Sequence, residues 1–273
     1  FKQKTAYEIR LSLVGSEMCI ETAVINASTG QTAICYGLSG ENTTISTGLS
    51  SGLKAIARAV DAIRSGRSTT LLAGGVEELS DELKLAFVDS GMFTASTVNK
   101  NNSDVPGFRL SEGAALLVIE EETAAAARGA RAFGKVAGVG SAFDVSIDGD
   151  QQSFVDSVVQ SMRLSLDEAC FRPNDIDCVV TSQNGLEFPD ECERQAISQL
   201  FGCAHPPRLL APKAIIGESL GAGGPMQMIS ALLRMSQSLP VRCLRILVNS
   251  ISYDGHCCSV LLTGTNSQNA FEN

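Results

Sequence analysis

Alternating strand-like and helix-like segments predict an α/β fold for this chain, with a mixed, mostly parallel sheet covered by helices. Three observations lead there. Runs of β-branched and aliphatic residues recur between stretches whose apolar residues fall at helical intervals, as in Phe154, Val158, Met162 and Leu166. Glycine is abundant, at 25 of 273 residues, while aromatic residues make up only 5%, the composition of elements that pack closely through small residues. An apolar fraction of 44% over this length supplies a large core.

The chain is organised around residues 42–60, NTTISTGLSSGLKAIARAV. Residues 26–40 read as helix or loop into a turn at Gly37-Leu38-Ser39-Gly40. Residues 42–47 are rich in β-branched side chains and predict a buried strand, followed by the small-residue turn Gly48-Leu49-Ser50-Ser51-Gly52. Leu53, Ile56, Ala57, Val60 and Ile63 keep helical spacing up to Gly66. Such a strand–turn–helix junction presents unpaired backbone N–H groups and a partial positive charge at the helix N-terminus, which favours a developing oxyanion. Further along, a buried strand is expected at residues 69–76, and strands at 114–120, 134–139, 175–181, 245–250 and 260–263. Helices are expected at 121–129, 151–169, 191–201 and 225–235, a polar surface loop at 94–107, and a disordered tail at 266–273.

Net charge is -9, so the chain does not attract phosphates, and neither nucleic acid nor an anionic membrane is an expected partner. No apolar run is long enough for a transmembrane helix. The nine cysteines form no C-x-x-C pair, and only His205 and His256 are available beside them, so no metal site is expected. They read as reduced thiols that pack as small apolar groups in a cytoplasmic protein. His205, ahead of Pro206-Pro207, reads as a loop residue. Glu77-Glu78 and Asp81-Glu82 read as a solvated helix start.

Residues 1–20, FKQKTAYEIRLSLVGSEMCI, sustain no periodicity. Residues 2–9 resemble the translation of a short-read library adapter, and 13–20 that of the transposase-end oligonucleotide that follows it, with room between them for an index in frame. Residues 1–20 are therefore expected to be an adapter artefact rather than protein.

The frame ISTGLSSGLKAI resembles the nucleophile segment of the β-ketoacyl-acyl-carrier-protein synthases, condensing enzymes of the thiolase fold. That segment usually reads STAC followed by small residues, Gly and an apolar helix. The likeness continues through Leu71-Leu72-Ala73-Gly74-Gly75-Val76-Glu77-Glu78, Gly107-Phe108-Arg109-Leu110-Ser111-Glu112-Gly113-Ala114 and Ala127-Arg128-Gly129-Ala130. It ends in Lys213-Ala214-Ile215-Ile216-Gly217-Glu218-Ser219-Leu220-Gly221-Ala222-Gly223-Gly224 and Asn249-Ser250, all in the family's order. The resemblance implies a thiolase-like layered fold of two similar halves. Residues 21–133 would be a truncated N-terminal half and 134–265 the C-terminal half, with the strand at 42–47 at a dimer interface.

The family needs a cysteine to take the acyl group, two histidines to stabilise the enolate formed on decarboxylation, and backbone donors for the oxyanion. Residue by residue, Leu49 falls on the cysteine. Ser182, counted back from Asp190, falls on the first histidine and Glu218 on the second. Lys213 matches a family lysine and is expected to pair with Glu218. The loop Ser252-Tyr253-Asp254-Gly255-His256 departs from the family's glycine-rich pattern, which puts the second oxyanion donor in question. The resemblance thus implies a subunit without condensing activity, similar to chain-length factors, which lack the cysteine and form heterodimers with an active synthase. Those factors commonly carry Gln where this chain has Leu49. Substrates would arrive on the phosphopantetheine arm of an acyl carrier protein, and no cofactor is expected. Two alternatives stand beside this reading. One is a degenerate paralogue without activity or partner. The other is a serine hydrolase built on the G-x-S-x-G turn, with Ser50 as nucleophile, His256 as base and Asp190 as its orienting acid.

Overall fold

The structure is a computed structural model, and residues 26–90, 108–146, 150–202, 206–236 and 244–265 are described. The expectations for residues 1–20, the loop at 94–107, His205 and the tail at 266–273 lie outside them.

Among the described residues, those up to Thr44 group into one unit and those from Ile45 into a second. In the first, helix α1 (Ala27–Tyr36) ends on Gly37 in the left-handed region at φ 63°. Thr29 and Thr44 bring their hydroxyls within 3.3 Å of each other.

The strand expected at residues 42–47 is corrected. Residues 42–47 form no strand, and only an isolated bridge joins Thr47 to Leu49. A strand exists by pairing its N–H and C=O groups with a neighbour, and among the described residues no strand pairs with this stretch, however β-branched it is. Helix α2 (Ser51–Arg64) follows and buries Leu53, Ile56, Ala57 and Val60, the stripe that the spacing predicts. Strands β1 (Thr70–Glu77) and β2 (Gly113–Glu120) pair antiparallel, and β1 is corrected from a buried strand to a half-exposed one, because among the described residues only one face of this two-stranded sheet packs against a helix and Leu72 and Val76 lie on the other. Helix α3 (Asp81–Asp89), capped by Ser80, starts with Asp81 and Glu82 as expected, but Glu77 belongs to the end of β1 and accepts from the Gly221 N–H rather than opening a solvated helix; α4 (Glu122–Ala127) follows β2.

The five-stranded sheet comprises β3 (Lys135–Phe143), β4 (Cys178–Val180), β5 (Arg208–Leu210), β6 (Arg245–Ile251) and β7 (His256–Thr263), in the order β3-β7-β6-β4-β5. It is mixed, as expected, but parallel pairing is confined to β4 with its neighbours β5 and β6. The expected predominance of parallel pairs is therefore corrected. Residues 252–255 close β6 onto β7 as a hairpin, and a hairpin makes its strands antiparallel. Between the strands run α5 (Gln151–Glu168), α6 (Glu187–Phe201), the single turn α7 (Lys213–Ile216) and α8 (Gly223–Ser236).

Alternation along the strands divides the core in two. On the outer face Val179, Leu247, Cys257 and Leu261 meet Phe154, Val158, Met162 and Leu166 of α5 with Cys192 and Ala196 of α6. On the inner face Cys178, Val180, Ile246, Val248, Cys258, Val260 and Leu262 meet Leu53 and Ile56 of α2 and Met228 and Ala231 of α8. Ala73 of β1 packs into the same cluster from beyond those helices. The helices α2 and α8 thus lie between the two sheets, a layered arrangement. The close approach needs bare backbone: a Cβ at Gly52 or Gly75 would collide with the Gly221 carbonyl.

Candidate functional site

The three positions singled out by the sequence come from different elements. Leu49 sits on the turn at the head of α2, Ser182 just past β4, and Glu218 just past α7. The structure gathers them around the end of β6. Ser250 Oγ donates to the Leu49 carbonyl at 3.1 Å, and Ser182 Oγ accepts from the Ile251 N–H at 2.9 Å. Leu220, whose N–H donates to Glu218 Oε1 at 2.9 Å, packs in one apolar cluster with Leu49.

Leu49 is 1% exposed, and its cluster also takes in Phe87 and Phe108. The turn that holds it is tied locally. Thr47 N–H donates to Ser51 Oγ at 2.8 Å, Ser50 Oγ to the Thr47 carbonyl at 2.8 Å, and Gly48 adopts φ 56°. No lone pair of a side chain is offered at position 49.

Ser182 is spent on β6, since its hydroxyl also donates to the Ile251 carbonyl at 3.3 Å. Its N–H donates to both oxygens of Glu193, a residue the sequence reading did not single out. Glu193 projects from α6, accepts from Asn249 Nδ2 at 3.0 Å, and is 1% exposed. Burial pushes its carboxyl up to about 7, against the opposing effect of the bonds from Ser182 and Asn249. The signal for it was present. Glu193 falls one helical step before Ala196 and Ile197 on the apolar face of α6, where an unpaired acid has no place.

Glu218 is wholly buried with its oxygens supplied with three donors. Lys213 Nζ reaches Oε2 at 2.7 Å, Asn184 Nδ2 reaches the same oxygen at 2.8 Å, and Leu220 N–H takes Oε1. The Lys213–Glu218 pair, suggested by the sequence, has both side chains at 0% exposure. Asn184 was not foreseen; it is held by Asp190, whose carboxylate accepts from the N–H groups of Asn184 and Gly185. Burial raises the Asp190 carboxyl.

The hydrolase triad is not assembled. Ser50 Oγ donates to the Thr47 carbonyl, Asp190 is bound to backbone, and His256 Nδ1 lies 2.7 Å from Lys54 Nζ. Desolvation, then the neighbouring Lys54 charge, lowers the His256 pKa, and desolvation lowers that of Lys54. Among the described residues no group of three or more His, Cys, Asp or Glu could hold a metal ion, and no helix is long and apolar enough to cross a membrane.

Two family models match the chain: Beta-ketoacyl synthase, N-terminal domain, over residues 4–125, and Beta-ketoacyl synthase, C-terminal domain, over residues 133–246. The first match opens inside the stretch 1–20 that the sequence reading set aside. Among curated relatives, Nodulation protein E of Rhizobium leguminosarum bv. trifolii is 31% identical over 222 residues, 78% of this chain and 53% of that protein. The Tetracenomycin polyketide synthase ketoacyl synthase beta subunit of Streptomyces glaucescens is 30% identical over 214 residues, 76% of this chain and 51% of that protein. The chain therefore spans about half the length of the curated relatives it matches. A solved structure described as the ishigamide ketosynthase/chain length factor superposes with a TM-score of 0.72 at 26% identity, over 82% of this chain and 61% of that one.

Proposed function

Since the chain belongs to the β-ketoacyl synthase family, we propose that it is a subunit without condensing activity that acts beside an active synthase, in the manner of a chain-length factor, in fatty-acid or polyketide-type synthesis. One observation carries this reading. Leu49, Ser182 and Glu218, which the sequence resemblance sets on the family's Cys-His-His positions, are buried, and the two polar ones are engaged by protein partners. Leu49 cannot form an acyl-enzyme. Ser182 carries no positive charge, and a carboxylate at 218 opposes both a malonyl carboxylate and an enolate. The three act as a unit in this chemistry, so losing all of them removes it rather than weakening it.

The quality of the replacement bears on the degenerate alternative. A decaying site would leave buried polar groups without partners, each costing about 1–3 kcal/mol. Here Glu218 has three donors and Glu193 has two residues donating to it. That supports replacement of the carboxylates' surroundings as a set, although the nearby buried Gln227 Oε1 has no partner. The partners under this reading are an active synthase and, through it, an acyl carrier protein. The similarity to a polyketide synthase beta subunit and to a ketosynthase/chain length factor structure points the same way.

The experiment is co-expression of this chain with an active β-ketoacyl synthase, followed by native mass spectrometry and product profiling. A one-to-one heterodimer whose product length changes when this subunit is exchanged supports the proposal. A homodimer or an aggregate rejects it in favour of the degenerate paralogue. Resequencing across residues 1–20 decides whether that stretch belongs to the gene.

A further inference from the structure

The head of α2 offers backbone donors to whatever lies against Leu49. One donor is already engaged. The Leu49 N–H donates to Ser252 Oγ at 3.0 Å, and Ser252 is 0% exposed. Ser252 is in turn pinned by its own hairpin, its N–H donating to the His256 carbonyl at 2.8 Å and its carbonyl accepting from the Gly255 N–H at 3.1 Å. The turn and the hairpin come so close that a Cβ on Gly48 would collide with Ser252 Oγ and stand 2.6 Å from Asp254 Oδ2.

From this geometry we infer that the Ser252 hydroxyl is a built-in occupant of the oxyanion position: its oxygen takes the Leu49 N–H that would otherwise hold the carbonyl oxygen of a thioester. The turn is therefore closed to acyl transfer even when a thiol is returned to position 49. The inference rests on reading this turn as a vacated acyl-transfer site.

The chemistry separates this block from the missing nucleophile. In acyl transfer a thiolate sulfur bonds to the thioester carbonyl carbon, and the carbonyl electron pair moves onto oxygen. Collapse of that oxyanion breaks the bond to the departing sulfur, which leaves as a thiolate and takes a proton from water. Alkylation by iodoacetamide forms a carbon–sulfur bond and expels iodide without any oxyanion. Only the first reaction uses the Leu49 N–H.

The test installs Leu49→Cys with Ser252, Ser252→Ala or Ser252→Thr, and follows modification of residue 49 by peptide mass spectrometry. One probe is iodoacetamide and the other is the S-acetyl thioester of N-acetylcysteamine. The ratio of acylation to alkylation should rise by roughly 10²-fold for Ser252→Ala, the scale of one oxyanion donor, and stay low for Ser252→Thr, which keeps the hydroxyl. In the chain with native Leu49, hydrogen exchange of the residue 49 amide should quicken in Ser252→Ala and not in Ser252→Thr. Equal ratios and equal exchange in all three backgrounds would overturn the inference. If the enclosed thiol takes neither reagent, the exchange comparison decides alone, and Ser252→Gly replaces Ser252→Ala should the latter melt early. Complex formation with a synthase is read on the unaltered chain, so failure here and failure of the proposed function are told apart.

Discussion

The two sheets differ in how much of each the described chain covers. In the five-stranded sheet, Leu247 faces α5 while Ile246 and Val248 face α2 and α8, and all three are 0% exposed. The two-stranded sheet turns Ala73, Leu71 and Leu117 toward α2 and leaves Leu72, Val76, Leu116 and Val118 on its far side, between 43% and 60% exposed. The candidate site belongs to the enclosed region, and the difference explains its character. Where water is excluded on both sides, each polar group must be answered by another protein group. Hence the serine, glutamates and lysine near the end of β6 form closed bonds rather than a reactive cleft.

The largest expected effect sharpens that contrast. Glu218→Ala leaves the Lys213 ammonium, itself 0% exposed, without its counter-ion, and should cost about 3–5 kcal/mol in urea unfolding. The double change Lys213→Met with Glu218→Leu should recover most of it. Little loss in the single variant would mean that water reaches the pair and the enclosure is not real. Next, Leu247→Ala on the five-stranded sheet should cost about 3 kcal/mol, whereas Leu116→Ala on the open face should stay within about 0.5 kcal/mol. Equal losses would break the comparison outright.

A pH experiment reaches the same enclosure from another side. The Glu193 carboxyl is raised from 4.5 to about 7 by burial, so the folded state holds a proton that the unfolded state has released between those values. Its stabilising contribution is full below pH 4.5 and is lost as pH rises through about 7, a change on the order of 3 kcal/mol. Melting temperature should therefore show a falling component between pH 5 and 8 that Glu193→Gln lacks. A profile shared by both proteins would place that carboxylate in contact with water. The smallest effect is on the open face, where Val118→Thr should leave the melting temperature nearly unchanged while lowering the tendency to associate.

Much of the fold was legible because it is written in local periods. The stripe of α2 and the intervals of α5 follow from spacing, and β1 and β2 from their aliphatic runs, which place the strands but not the exposed face of β1. The stretch 42–47 was misread because β-branched residues show a willingness to be strand, and only a neighbour makes one. The first half of β7 escaped notice since Cys257, Cys258 and Ser259 give a weak strand signal, yet the pairing with β3 and β6 makes them one. In the candidate site the Lys213–Glu218 pair could be anticipated only through the resemblance, which sets Lys213 on a family lysine beside the changed position 218. Asn184 on Glu218 and Asn249 on Glu193 join residues 34 and 56 positions apart, and no window of sequence brings those together. The occupied N–H of Leu49 was hidden for the same reason, its partner lying 203 residues away.

The neighbouring cysteines of β7 give the protein its own layer-resolved reporter of unfolding. Cys257 points into the outer cluster with α5 and α6, and Cys258 into the inner one with α2 and α8; Cys192 and Cys178 repeat the division. Burial raises the thiol pKa of Cys257, Cys258 and Cys192, so these sulfurs are slow to react while folded. Pulse labelling during gradual denaturation therefore reads, residue by residue, which side of the five-stranded sheet opens first. Early modification of Cys257 and Cys192 marks release of the outer helices, early modification of Cys258 and Cys178 marks parting of the central ones, and simultaneous modification marks a single cooperative unit.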